Sequence, residues 1–82
     1  MLMLIVNCEK YQTKKMLDYY KSLNPNYWNV SWLIAKCEKY QTLEMLDYYK
    51  SLNPDHNDIL WLVVNCKYCQ RKEILKKLKS QH

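Results

Sequence analysis

The sequence predicts an all-α fold, an α-solenoid of three helix-turn-helix repeats with six short helices. Three observations carry that expectation. The first is a repeat at a fixed offset of 29 residues: Leu4 to Thr13 returns as Leu33 to Thr42, and Met16 to Pro25 returns identically as Met45 to Pro54. Between residues 4–32 and 33–61, 19 of 29 positions are identical, and a weaker third copy starts at Leu62. A period of this size marks architectures in which each unit buries its apolar face against its neighbours. The second is composition: 49% of residues are hydrophobic, enough for a packed chain, and glycine is absent. Without glycine, tight hairpin turns between strands and Gly-rich phosphate loops are disfavoured. The third is apolar spacing at three and four residues throughout both copies.

The repeats are expected at about 1–29, 30–58 and 59–82, as one domain, with helices near 2–11, 14–23, 30–40, 43–52, 58–69 and 72–80. In the first helix of the second repeat, Leu33, Ile34, Cys37 and Gln41 share one side, while Lys36 and Lys39 face away. Asn29, and Asn57 or Asp58 one repeat later, read as N-caps, whose short side chains accept from free first-turn N–H groups. Asn29-Val30-Ser31 fits the glycosylation pattern but reads here as a cap. Thr42 is the expected N-cap of the next helix, with Glu44 in its first turn, where a carboxylate suits the helix dipole. Met45, Leu46, Tyr49 and Leu52 then form an amphipathic stripe. Asn53-Pro54 ends the helix, because proline disfavours helical geometry in the residue before it. Helices of about 9–12 residues are too short to stand alone in water, so packing must stabilise them. In the third repeat Lys77 replaces Tyr48 and Gln81 replaces Leu52. That gives the last helix the polar outer face a solenoid end needs.

The segment from Glu44 to Pro54, with its paired Tyr48-Tyr49 and with Trp61 leading the next helix, resembles tetratricopeptide (TPR) repeats. Trp32 and Trp61 match the tryptophan of that pattern in type. The period departs from it, at 29 residues against about 34. Lys36 and Met45 occupy positions where that family has small residues. The resemblance implies stacked helical hairpins and a protein- or peptide-binding role.

Candidate binding residues form a polar row. Asn7, Lys36 and Asn65 are repeat-equivalent, and Lys10, Lys39 and Tyr68 follow one turn later. Such a row offers amide and ammonium donors to carboxylates or phosphates, as on a protein or peptide with acidic groups. TPR proteins that hold acidic peptide ends use Lys and Asn on corresponding helices. Tyr27 and Trp28, in the connection after Pro25, read as an aromatic contact anchor. Most other aromatic residues read as core and inter-repeat wedges.

Charge is uneven: net +2 over residues 1–32, −2 over 33–61 and +5 over 62–82. The basic C-terminal third makes RNA binding the alternative function, less favoured than protein binding. No secretory signal is evident, and no stretch approaches the roughly 20 apolar residues of a membrane span. A cytoplasmic protein with reduced thiols is therefore expected. Cys8, Cys37 and Cys66 fall on the apolar side of each first helix and read as core. Cys66 and Cys69 form one C-x-x-C pair, short of the four N or S ligands of a structural zinc site. Equivalent residues on packed helices are about 8–10 Å apart, too far for a disulfide ladder. No metal or cofactor is expected. No nucleophile is placed with an evident base, so the chain reads as non-enzymatic.

The N-terminal segment lacks a cap, since Met1 to Leu4 adds apolar surface to a helix with no preceding repeat. A homodimer through the first helix is expected, with Leu2 and Leu4 at its contact. The near-identity of two copies also suits a recently duplicated or constructed repeat protein whose main property is self-association.

Overall fold

The computed structural model describes residues 2–79. These residues form six α-helices, with no strand among them: α1 Leu2–Asn7, α2 Lys14–Ser22, α3 Tyr27–Lys36, α4 Leu43–Ser51, α5 His56–Asn65 and α6 Lys72–Lys79. A short 3-10 turn follows each odd-numbered helix, at Glu9–Tyr11, Glu38–Tyr40 and Tyr68–Gln70. All-α architecture is what the sequence leads one to expect.

The odd-numbered helices end earlier than periodicity suggests. Each is followed by a cysteine in extended conformation, Cys8 (φ −130°), Cys37 (φ −117°) and Cys66 (φ −137°). The carbonyls freed by that break are taken up by a side chain. The Gln12, Gln41 and Gln70 amides donate to the carbonyls of Ile5, Ile34 and Val63, at 3.0, 3.0 and 2.8 Å. These glutamines are 29 residues apart and serve as the C-caps that glycine usually supplies. Gln41 is therefore not on the face of α3, as its spacing suggests, but beyond its end.

Helix starts also shift. α3 begins three residues and α5 two residues before the expected points, so Asn29, Asn57 and Asp58 lie inside the first turn. The capping positions are Asn26 and Asp55, each directly after a proline. The Asp55 carboxylate accepts from the Asp58 N–H at 2.7 Å. The even-numbered helices start where the sequence places them: Thr13 and Thr42 accept from the Met16 and Met45 N–H groups at 3.1 and 3.2 Å. Asn24 (φ 54°) and Asn53 (φ 56°) close α2 and α4 in the left-handed region. Asparagine tolerates that conformation better than any other residue with a Cβ. The following proline has no N–H, so the longer C-terminal bond of a Schellman ending cannot form.

α1 packs on α3, and α3 packs on both α4 and α5. Ile5, Leu33, Ile34, Leu46, Tyr49 and Leu62 are fully buried between them. Cys37, Cys66 and Cys69 are core residues, and Cys8 is half-buried. Burial pushes the Cys37 thiol up from 9.0 to about 11. Burial and then the Cys66 thiol raise that of Cys69. Polar ties join successive hairpins. Tyr40 Oη donates to the Thr13 carbonyl at 2.7 Å, and Lys50 Nζ to the Lys77 carbonyl at 2.6 Å. Lys77 Nζ pairs with Asp47 at 2.7 Å. Ser80, Gln81 and His82 lie outside the described residues, as does Met1, so the Gln81 part of the polar end is not described.

Candidate functional site

Trp28, Trp32 and Lys36 lie at successive i+4 spacings along α3, so one face of the helix presents all three. Tyr27 and Trp28 belong to the first turn of α3, not to a connection. Trp28 is 53% exposed. Trp32 stacks on Trp61 of α5, with ring centroids 6.4 Å apart and planes 16° from parallel. Lys36 Nζ lies 5.3 Å from the centre of the Trp32 ring, a cation–π contact.

A cleft opens between the two helices. One part, about 190 Å³, is lined by Trp28, Ser31, Trp32, Asp58 and Trp61. Another, about 300 Å³, is lined by Tyr27, Trp28, Asp55, Asn57, Asp58 and Trp61. Its acidic wall is fixed by hydrogen bonds. Tyr27 Oη donates to Asp55 at 3.0 Å, while Ser31 Oγ, which donates to the Trp28 carbonyl at 2.9 Å, lies 3.5 Å from Asp58. The Tyr49 hydroxyl also donates to Asp58. Desolvation, then the bond to Asp58, pushes the Tyr49 phenol far up. The site is thus an aromatic floor with a carboxylate on one side and an ammonium at the far end of the stripe.

The polar row is brought to one edge of the molecule. Asn7, Lys36 and Asn65 are the final residues of α1, α3 and α5, and Lys10, Lys39 and Tyr68 lie in the 3-10 turns beyond. All but the half-buried Tyr68 are exposed. This is the carbonyl end of each helix, where cations are favoured by the helix itself. The Asn65 amide turns back to the Trp61 carbonyl at 2.8 Å, and Lys10 lies over Tyr11 at 5.4 Å. Lys36 alone belongs to both the row and the aromatic stripe.

Leu4 is 47% exposed, whereas its repeat equivalents Leu33 and Leu62 are fully buried. Leu2 is half-buried against the core. At the other end Lys67, Arg71, Lys72, Lys76 and Lys79 are exposed, while Lys77 is held by Asp47. Among the described residues, no helix is long and apolar enough to cross a membrane.

Spacing along the chain misses the place of Asp55 and Asp58 in the cleft: Asp58 reads as a helix-start residue, Asp55 is not singled out, and both face the tryptophans only once α3 and α5 are packed. The glutamines are legible as a repeated residue just beyond the expected helix ends, but spacing sets Gln41 on the apolar side of its helix and not in a cap. No protein-family model, curated protein or solved structure matches this chain.

Proposed function

We propose that the chain is a non-enzymatic helical-repeat module that binds a protein or peptide segment along α3. The observation that carries this reading is Trp28, half-exposed at the mouth of a cleft floored by the stacked Trp32 and Trp61. Tryptophan anchors dominate protein interfaces when a pocket surrounds them. The stripe gives the segment a direction. Its apolar side chain sits against Trp28, and its acidic group reaches Lys36, Lys39 and Lys10 at the row. A solenoid of TPR-like hairpins would present such a stripe on its first helices, and the packing of α1 on α3 and α3 on α5 supports that arrangement. A cytoplasmic setting suits its free thiols.

Selection of binding peptides from a displayed random library tests the reading. Selected peptides should be enriched in acidic residues, and Trp28→Ala should weaken them at least about tenfold, the size of a hot-spot truncation. Equal binding by folded Trp28→Ala protein would refute it. A second reading, RNA binding, draws on the exposed Lys67, Arg71, Lys72, Lys76 and Lys79 and on Arg71 lying 5.6 Å over the Tyr68 ring. It requires affinity that falls steeply as salt rises.

A further inference from the structure

Each junction between hairpins has a forward and a backward face, and the polar ties show which residues belong to each. The Thr13 carbonyl, Lys14 and Lys21 of the first hairpin face forward. They meet Tyr40, Glu44 and Tyr48 of the second through a 2.7 Å hydrogen bond, a 3.7 Å ion pair and a cation–π contact at 4.7 Å. The next junction keeps the lysine contact, while Leu43 and Cys69 replace Lys14 and Tyr40. Lys50, equivalent to Lys21, reaches the Lys77 carbonyl, at the position equivalent to Tyr48.

Shifting by one repeat identifies the two faces left open. The backward face of the first hairpin carries Tyr11 and Tyr19, which with Thr13, Lys15 and Met16 line an open notch of about 280 Å³. Tyr19 is 52% exposed, while Tyr48 is half-buried, and Leu4 is exposed where Leu33 is covered. The forward face of the third hairpin carries Lys79. It also leaves out Leu60, 46% exposed where Ser31 is fully buried, and Val64, 73% exposed where Ala35 is half-buried. The polar end expected from α6 therefore does not extend to α5.

We infer that these two faces fit each other, so that the chain stacks head to tail on a second copy of itself. The key residues are already matched inside the molecule: Tyr19 is the counterpart of Tyr48, Tyr11 of Tyr40, and Lys79 of Lys21. The second copy's Lys79 therefore lies over Tyr19, and the Tyr11 hydroxyl meets the second copy's Arg71 carbonyl. Leu60 and Val64 of that copy cover the apolar surface around Leu4. This pairing differs from the two-fold dimer through the first helix, which would leave Leu60 and Val64 uncovered. A head-to-tail contact leaves one face free at each end of a pair, so growth continues past the dimer, into a ring where the rotation closes and a filament where it does not. It also brings together ends of net +2 and +5, with Lys72 replacing Lys14 opposite Lys15. Added salt screens that repulsion, so association strengthens as salt rises.

The experiment uses the full chain and two variants, Leu4→Glu on the backward face and Leu60→Glu on the forward face, each checked for helical circular dichroism. Sedimentation at high micromolar concentration should show the unmodified chain forming species beyond dimer, more so at higher salt. Each variant alone should be monomeric, and their mixture should stop at a dimer, because one good face of each remains. A monomeric unmodified chain overturns the inference. So does a Leu60→Glu protein that still self-associates while Leu4→Glu does not, which is the two-fold outcome. Should either variant fail to fold, Tyr19→Ser and Val64→Ser make the same test.

Discussion

The fully buried Tyr49 ring donates its hydroxyl to the Asp58 carboxylate, tying the end of α4 to the first turn of α5. One repeat earlier the equivalent pair is Tyr20 and Asn29, where no charge is present. Tyr49→Phe should therefore cost about 1.5 kcal/mol, the lower end for a bond to a charged group that stays partly solvated. Tyr20→Phe should cost less. Urea unfolding of the two variants checks the order. Equal losses would mean that Asp58 finds water as good a partner as the phenol.

Leu46 has no exposed surface, and a core relaxes only partly around a deleted side chain. Leu46→Ala should cost about 2–5 kcal/mol as a cavity. Lys39→Ala, at an exposed position, should stay within about 0.5 kcal/mol. Lys50 is a poor surface control, although its helix face suggests one, because its ammonium crosses to the Lys77 carbonyl. Denaturant midpoints at constant slope give the comparison.

The glutamine caps make a signed prediction. Gln41→Ala removes a donor to the Ile34 carbonyl and should cost about 1 kcal/mol. Gln41→Glu should cost more, because it sets a carboxylate against the negative end of the α3 dipole. Amide hydrogen exchange in the last turn of α3 should quicken in both. If Glu is tolerated as well as Gln, the bond does not cap the helix.

Alkaline stability follows from the buried thiols and phenols. Cys37 rises from 9.0 to about 11, and desolvation raises Tyr20, Tyr40 and Tyr49 above 10.0. The unfolded chain releases these protons first. Above their ordinary values the native state holds more protons than the unfolded state, so stability is full below pH 9.0 and falls as pH rises through that range. Urea midpoints on either side of pH 9.0 should show the decline beginning there, and Cys37→Ala should make it shallower without moving its onset, because the buried Cys69 thiol is raised from the same ordinary value. A flat profile up to about pH 11 would contradict it.

The helices of this chain are legible because the same apolar spacing is written twice, and Thr13, Thr42 and the two Asn-Pro pairs mark their ends. The first-helix boundaries are not. A cysteine is compatible with helix, so nothing local announces the break at Cys8, Cys37 or Cys66. The bond that makes the break tolerable comes from a glutamine seven residues beyond the carbonyl it caps. The early start of α3 and α5 is hidden for a similar reason. Asn26 and Asp55 compete with equally good capping residues three positions later, and nothing within the segment ranks them. In the cleft, Tyr27 and Trp28 can be read from the sequence as anchors. Their carboxylate neighbours are set by packing of α5 on α3, which no spacing within one helix encodes.

Asn24 and Asn53 take left-handed turns that most proteins assign to glycine. The consequence falls on the disordered chain rather than on the folded one. Glycine has the widest backbone freedom and gives up the most on ordering. A sequence of 82 residues without it begins from a narrower set of backbone shapes. The two asparagines pay a small conformational cost in the native state, while every link between the helices is already restricted before any helix forms. Part of the stability of this molecule is therefore set by states it no longer occupies.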